Sequence, residues 1–325
     1  MNGLVWELIG LAFFLLVLVV LWKKVLWRIP SLNQVVDGKV QLVGMGILFP
    51  AAMLWMMFPL GTNIWQALAI VALTLSGLAD DLWDTPIILR LLIQFCAAIS
   101  LVTLDIDLPL WLLILLAVAW MNMFNFMDGS NGMMGLTALS TTLVLAGFSL
   151  IIFGYKYYTF QIPVFELIIA LAFSLIVFGW GNFRNKAIWI SGDTGSVVLG
   201  YGFFWVFLSL FQNPESKTIL LILLCLFSVF ITETGCTLLF RLWRRENIFK
   251  RHQQHIYQRL IYQKGFKHMH IAIIYAALQL ISSCYLFWQM GAGKSQALCT
   301  LHIFAVLTAS WLFLNYRLPN TDFSE

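Results

Sequence analysis

Residues 64–84 read IWQALAIVALTLSGLADDLWD. An apolar run, 64–79, ends on Asp80 and Asp81, with Asp84 just beyond. A helix crosses hydrocarbon in about 20 residues, so the run is read as a span that is tilted or starts a little earlier. Carboxylates at the edge of a bilayer are costly and point to function. If helical geometry continues, Asp80 and Asp84 share a face and Asp81 lies about 100° away. Adjacent acids repel unless a cation is near. Arg90, a few residues on, supplies one such charge, and a magnesium ion held by carboxylates plus phosphate is another. The plainer alternative is a solvated turn broken by Pro86.

The rest of the chain repeats this texture. It is 325 residues long, 61% hydrophobic and 10% charged, where a soluble chain carries about a quarter charged residues. Apolar runs of spanning length fall at 4–22, 42–60, 64–79, 87–104, 108–126, 133–154, 162–181, 195–211, 218–240, 269–289 and 297–316. The expected fold class is therefore an all-α integral membrane protein, a polytopic helical bundle of about 11 transmembrane helices. It forms one domain, 1–325, with a basic loop at 241–268. The first run has no basic segment before it and no small-residue cleavage site, so it reads as a retained anchor. The five cysteines lie mostly inside apolar runs without CxxC spacing, which indicates neither zinc nor a disulfide framework.

Lysines and arginines set the orientation. With the N-terminus outside, inner loops hold Lys23, Lys24, Arg28, Lys39, Arg184, Lys186, Arg241, Arg244, Arg245, Lys250, Arg251, Arg259, Lys264, Lys267 and Arg317. Outer loops hold only Lys156, Lys217 and Lys294, and Arg90 sits within a span. This asymmetry puts the acidic exit of 64–79 on the cytoplasmic face together with three further polar clusters.

Asn122 and Asn125 stack at i,i+3 at the inner end of a span, followed by Asp128-Gly129 and Asn131-Gly132. Glycines permit positive φ and close backbone approach, and Asn and Asp offer oxygens to a metal or a base edge. Helix capping alone explains one Asn and one Gly of that set. Gly192-Asp193-Thr194-Gly195-Ser196 opens the span 195–211. A helix N-terminus with small residues suits an anion, and an acid beside a phosphate requires a cation between them, though an ordinary N-cap is the simpler reading. His252 and His255 sit at i,i+3 among Arg251 and Arg259. With cationic neighbours and no soft third ligand, phosphate binding suits them better than zinc. His268, His270 and His302 read as structural.

Taken together, these pieces resemble the polyprenyl-phosphate N-acetylhexosamine-1-phosphate transferases, a family that includes phospho-MurNAc-pentapeptide transferase. The matching pieces are Gly77 to Leu82 with Arg90 and Gln94, Asn125 to Gly129, Gly192 to Ser196, and Arg251 to Leu260. The HxxHxYQRL form, 252–260, looks most like the O-antigen-initiating branch. The resemblance implies a reaction in which undecaprenyl phosphate attacks the β-phosphorus of a UDP-HexNAc. The products are undecaprenyl-pyrophosphoryl-sugar and UMP, and the enzyme acts at the cytoplasmic face of a bacterial inner membrane. It implies Mg2+, with Mn2+ as a substitute, on Asp193 and Asn125. It implies that Asp80 or Asp81 positions or deprotonates the lipid phosphate, and that Arg90 lies near the phosphates. Asn122, Asp128, Asn131 and Arg251 are implied to bind substrate, and His252 and His255 to hold pyrophosphate and sugar in the catalytic loop. Partners are then the UDP-sugar, the prenyl phosphate and membrane lipid, with a homodimer compatible and no nucleic acid.

The chain departs from the family pattern in places. Ile29 to Asn33 lacks the usual Asp and Arg, Asn131 stands where many bacterial relatives have Asp, Lys186 only nearly matches a lysine before the third motif, and Glu233 replaces an Asp. Two rival readings are an inactive homologue kept as a scaffold and an ion-coupled transporter. The latter wants charge at mid-span, and only Glu233 and Glu166 fit that.

Overall fold

The computed structural model describes residues 2–36, 39–60, 64–104, 109–153, 162–211, 221, 224–248, 250, 252–293 and 295–318. Arg251, Lys156, Lys217 and Lys294 lie outside the described residues, as does most of 218–223.

The chain is a helical membrane bundle. Helix α1 runs Asn2–Leu26, α2 Leu48–Leu60, α3 Ile64–Trp83, α4 Ile87–Ile99, α5 Leu110–Met127 and α6 Met133–Phe153. Then come α7 Ile162–Asn182, α8 Asp193–Phe211, α9 Ser228–Trp243, the short α10 Ile256–Tyr262, α11 His268–Gly291 and α12 Gln296–Arg317. Every expected span has its helix. Among the described residues six helices, α1, α3, α5, α7, α11 and α12, are long and apolar enough to cross a membrane by themselves.

Two other spans differ in shape from the expectation. The run 42–60 becomes a helix only from Leu48, after a strand end and a single 3-10 turn, Met45–Ile47. The run 87–104 is α4 closed by a 3-10 turn, Ser100–Leu104. Prolines set two starts, since Pro86 and Pro109 immediately precede α4 and α5. Proline has no N–H to lose there and disfavours helix in the residue before it.

Large apolar side chains such as Trp6, Phe13, Leu75, Ile281 and Leu298 face outward, as lipid requires. Inside, Trp120, Phe124, Phe203, Phe204, Phe207, Phe227 and Phe230 interlock at centroid distances of 4.9–6.3 Å. Helices in lipid gain nothing from hiding apolar surface and hold together by close packing and polar contacts. The contact of α3 with α8 shows this. A Cβ on Gly77 would strike the Asp193 carbonyl and the Thr194 N–H, so only glycine lets α3 lie against the main chain that starts α8.

One element had no counterpart in the sequence reading. Strands β1 (Asn33–Val36) and β2 (Lys39–Leu42) form an antiparallel hairpin with Asn33 opposite Leu42. Its end pairs in parallel with the segment before α8. Leu42 N–H donates to Ile188 O (3.1 Å), Ile190 N–H to Leu42 O (2.9 Å), Met45 N–H to Ile190 O (3.1 Å) and Gly46 N–H to Ser191 O (3.1 Å). A four-residue alternation beside a long apolar run does not stand out by period.

Candidate active site

The bundle brings the C-terminal ends of α3 and α5 to the N-terminal ends of α4 and α8. Asp80 and Asp81 end α3, Arg90 lies in the first turn of α4, Asn125 and Asp128 end α5, and Asp193 starts α8. Arg90 Nη1 donates to Asp80 Oδ2 (2.7 Å) and to Asp193 Oδ2 (2.9 Å). One guanidinium thus joins two carboxylates more than a hundred residues apart, and all three side chains are at most 20% exposed. The other Asp80 oxygen accepts Thr85 N–H (2.8 Å) and Thr85 Oγ1–H (3.0 Å).

Asp81 does something different. Its Oδ1 accepts Asp193 N–H (2.8 Å), and its Oδ2 accepts Thr194 N–H (3.1 Å) and Thr194 Oγ1–H (2.5 Å). A helix start leaves N–H groups without partners and attracts negative charge. The anion seated at the start of α8 is therefore a carboxylate of the protein itself. The contact positions Asp193, and no local pattern could reveal it, because the partners are 112 and 113 residues apart.

Asp84 does not share the face of Asp80. The helix ends at Trp83, and Asp84 adopts φ 52°. Asn125 Nδ2 donates to Asp193 Oδ2 (3.3 Å), and its Oδ1 accepts Ser196 Oγ–H (3.1 Å). Asn122 Nδ2 donates to Gln94 Oε1 (2.7 Å) and Val118 O (2.8 Å), a polar tie between α5 and α4. Asp128 accepts a very short hydrogen bond from Ser191 Oγ. Burial pushes its carboxyl up to about 8, with the Ser191 bond opposing and the charges of Asp193 and Asp81 adding.

The turn after α5 is tied to neighbouring loops. Asn131, buried, donates Nδ2–H to Asn185 O (3.1 Å), and its N–H reaches His268 Nδ1 (3.4 Å). His268, expected to stand apart, thus belongs to this polar layer. Gly132 has φ 78° and donates to Asn182 Oδ1 (2.9 Å). Gly129 answers a different need, since a Cβ there would collide with Tyr257 and Gln258.

The histidine loop abuts the same turn. The His252 and His255 rings lie 6.4 and 6.0 Å from Phe126 and 5.0 Å from each other. His252 is half-buried and His255 is 3% exposed. Two expectations about this loop need correction. The neighbour of His255 is an acid, with Glu233 Oε1 3.6 Å from its Nδ1. Arg259, expected as a cationic neighbour of the histidines, has its guanidinium engaged at the end of α12. It is 2% exposed and donates to Asn315 Oδ1, Asn315 O (3.2 Å) and Leu318 O, which closes the C-terminal end of α12.

Among the described residues no three carboxylate, imidazole or thiolate groups come together as a metal cage. Magnesium needs only one or two carboxylates when phosphates complete its shell. Asp193 and Asp80, drawn together by Arg90, fit that description. Turning the Asn125 amide over would present Oδ1 beside Asp193, and Ser196 Oγ can accept as well as donate.

The fold and site together define a multi-pass membrane bundle with two carboxylates joined by one guanidinium, and further carboxylates nearby, at the ends of its helices. Residues 63–211 match the model of glycosyl transferase family 4. This is the family of phospho-MurNAc-pentapeptide transferase and related polyprenyl-phosphate hexosamine-1-phosphate transferases, to which the matched stretch, a little under half of the chain, is similar; the family implies a polyprenyl-phosphate sugar-phosphate transferase. The matched stretch carries Asp80 through Asp193 and ends before the histidine loop. No curated protein matches the chain.

Proposed function

We propose that the protein transfers HexNAc-1-phosphate from a UDP-activated N-acetylated hexosamine to undecaprenyl phosphate. A phosphate oxygen of the lipid forms a bond to the β-phosphorus of the donor. The bond from that phosphorus to the bridging oxygen breaks, and UMP leaves with that oxygen. The product, undecaprenyl-pyrophosphoryl-sugar, starts an O-antigen or related envelope polysaccharide at the cytoplasmic face of a bacterial inner membrane.

The observation that carries this reading is the bridge of Arg90 between Asp80 and Asp193. Nucleophile and electrophile are both anionic, so positioning and offset of charge supply most of the rate. Asp193, with Asp80 and the Asn125 amide oxygen, would hold Mg2+, which would supply positive charge to the donor pyrophosphate. Arg90, bonded to both carboxylates, is the fixed cation for the lipid phosphate. Asp80 orients Arg90 and faces the attacking group. Asp81 holds Asp193 in place through the start of α8. Asp128 and Asn131 shape the nucleotide side, with Asn122 behind them; the sugar phosphate is assigned to His252 and, from the sequence motif alone, to Arg251. A lipid phosphate stays at the interface, and the ends of apolar helices are where a spanning bundle meets it.

The test uses membranes, a panel of radiolabelled UDP-HexNAc donors and undecaprenyl phosphate, with and without EDTA. Labelled lipid plus UMP, lost on chelation, is expected. Label appearing as free sugar, or UDP as the leaving product, refutes phosphosugar transfer.

A further inference from the structure

Tyr257, near the start of α10, is completely buried. Its hydroxyl donates to Phe126 O (2.6 Å) and accepts the Gly129 N–H (3.0 Å). Those two backbone groups flank Met127-Asp128, so a single oxygen closes the end of α5 around the Asp128 carboxyl. Tyr262 adds a second bond to the same turn, from its hydroxyl to Gly129 O (3.1 Å). The tyrosine itself has a firm footing. Glu233, buried in α9, accepts Ile256 N–H (2.6 Å) on Oε1 and Tyr275 O–H (2.8 Å) on Oε2. The residues on either side of Tyr257 are thereby fixed, since Gln258 Oε1 accepts the His255 N–H (3.4 Å). A continuous set of contacts runs from α9 and α11 through α10 to the turn that presents Asp128.

We propose that Tyr257 is a positioning residue for the nucleotide-sugar donor: its hydroxyl sets the place of Asp128 in the site, with Glu233 as its anchor. The inference rests on the donor-binding role proposed for Asp128. Neither Tyr257 nor Glu233 touches the reacting atoms. Buried backbone groups that lose a partner pay a full desolvation penalty, so the turn must move or open when the hydroxyl is removed.

The experiment is Tyr257→Phe, which keeps the ring and removes one oxygen, with Tyr262→Phe as a second variant and Tyr316→Phe, on an exposed side chain, as the control. In Tyr257→Phe the Gly129 amide exchanges hydrogen faster. The donor KM rises about tenfold, the acceptor KM stays put, and kcat changes little. Tyr262→Phe moves the donor KM the same way by less. A loss of yield or of kcat alone, with the donor KM unchanged, marks Tyr257 as ordinary core and overturns the proposal. Wild-type protein that turns over no UDP-HexNAc sinks the proposed function instead. The Gly129 exchange rate and calorimetric UDP affinity then decide the role of Tyr257, and no change in either overturns it.

Discussion

Replacing Arg90 by Gln removes the one guanidinium shared by Asp80 and Asp193. The Asp80 side chain is 2% exposed, that of Arg90 18% and that of Asp193 20%. A hydrogen bond to a charged group contributes about 1.5–3 kcal/mol, and the Asp193 branch is discounted for its access to water. Two acids then face each other uncompensated, which brings the expected loss to about 3 kcal/mol. In a chain of this size that lowers the unfolding temperature by about 4 °C. Fourteen tryptophans make intrinsic fluorescence in detergent a direct readout, recorded in EDTA. Magnesium at about a hundred times its Kd returns about 2.7 kcal/mol, so the variant should regain most of its loss when the metal is added. Wild-type protein, in which Arg90 already offsets the acids, should respond less. An Arg90→Gln protein that melts within about 1 °C of wild type in EDTA, well inside the expected shift, refutes the reasoning, as does a variant that magnesium does not rescue.

Further outcomes follow from the same geometry. Asp193→Asn should lose at least about a hundredfold in turnover, the scale of removing one preorganised electrostatic contact. Near wild-type turnover would take it out of the metal shell. Asp128 holds its proton up to about 8 in the folded chain, against an ordinary value of 3.8. The folded state thus binds the extra proton, and stability falls as pH rises between those values. In EDTA the melting temperature should drop from pH 6 to 8 in wild type and drop less in Asp128→Asn, and equal slopes would contradict the assignment. Arg259→Gln leaves the end of α12 open and should destabilise the protein by about 3 kcal/mol without moving either KM. His302→Ala, remote from the site and bonded to Tyr285, should leave turnover unchanged.

The sequence made the helices and the meeting of four polar clusters legible, because an apolar run that ends in Asp or Asn has few places to put it. Asp80, Asn125 and Asp193 are recognisable in this way, each near one end of an apolar run, and Arg90 as a basic residue within one. What stayed hidden depends on contacts across long stretches of chain. Asp81 looks like a second acid of a pair until α8 arrives to receive it. Arg259 looks like part of a basic loop until Asn315 and Leu318 surround it. The positive φ at Asp84 breaks the helical register on which its shared face with Asp80 depended. Tyr257 lies inside a motif noticed for its histidines, and nothing in its spacing says that its hydroxyl meets Phe126 and Gly129.

The hairpin of β1 and β2 bears on how this site tolerates change. Its end holds the approach to Asp193 by amide-to-carbonyl ladders alone, from Leu42 to Gly46 against Ile188 to Ser191. Such bonds do not depend on the side chains of the preceding stretch, although Gly46 itself has no room for a Cβ against Gly195. The stretch Ile29–Asn33 can therefore shed its charged signature while the main chain beneath Asp193 keeps its shape. Diversification at this entrance is then free to retune what approaches the enzyme, and the chemistry behind it is insulated from the drift.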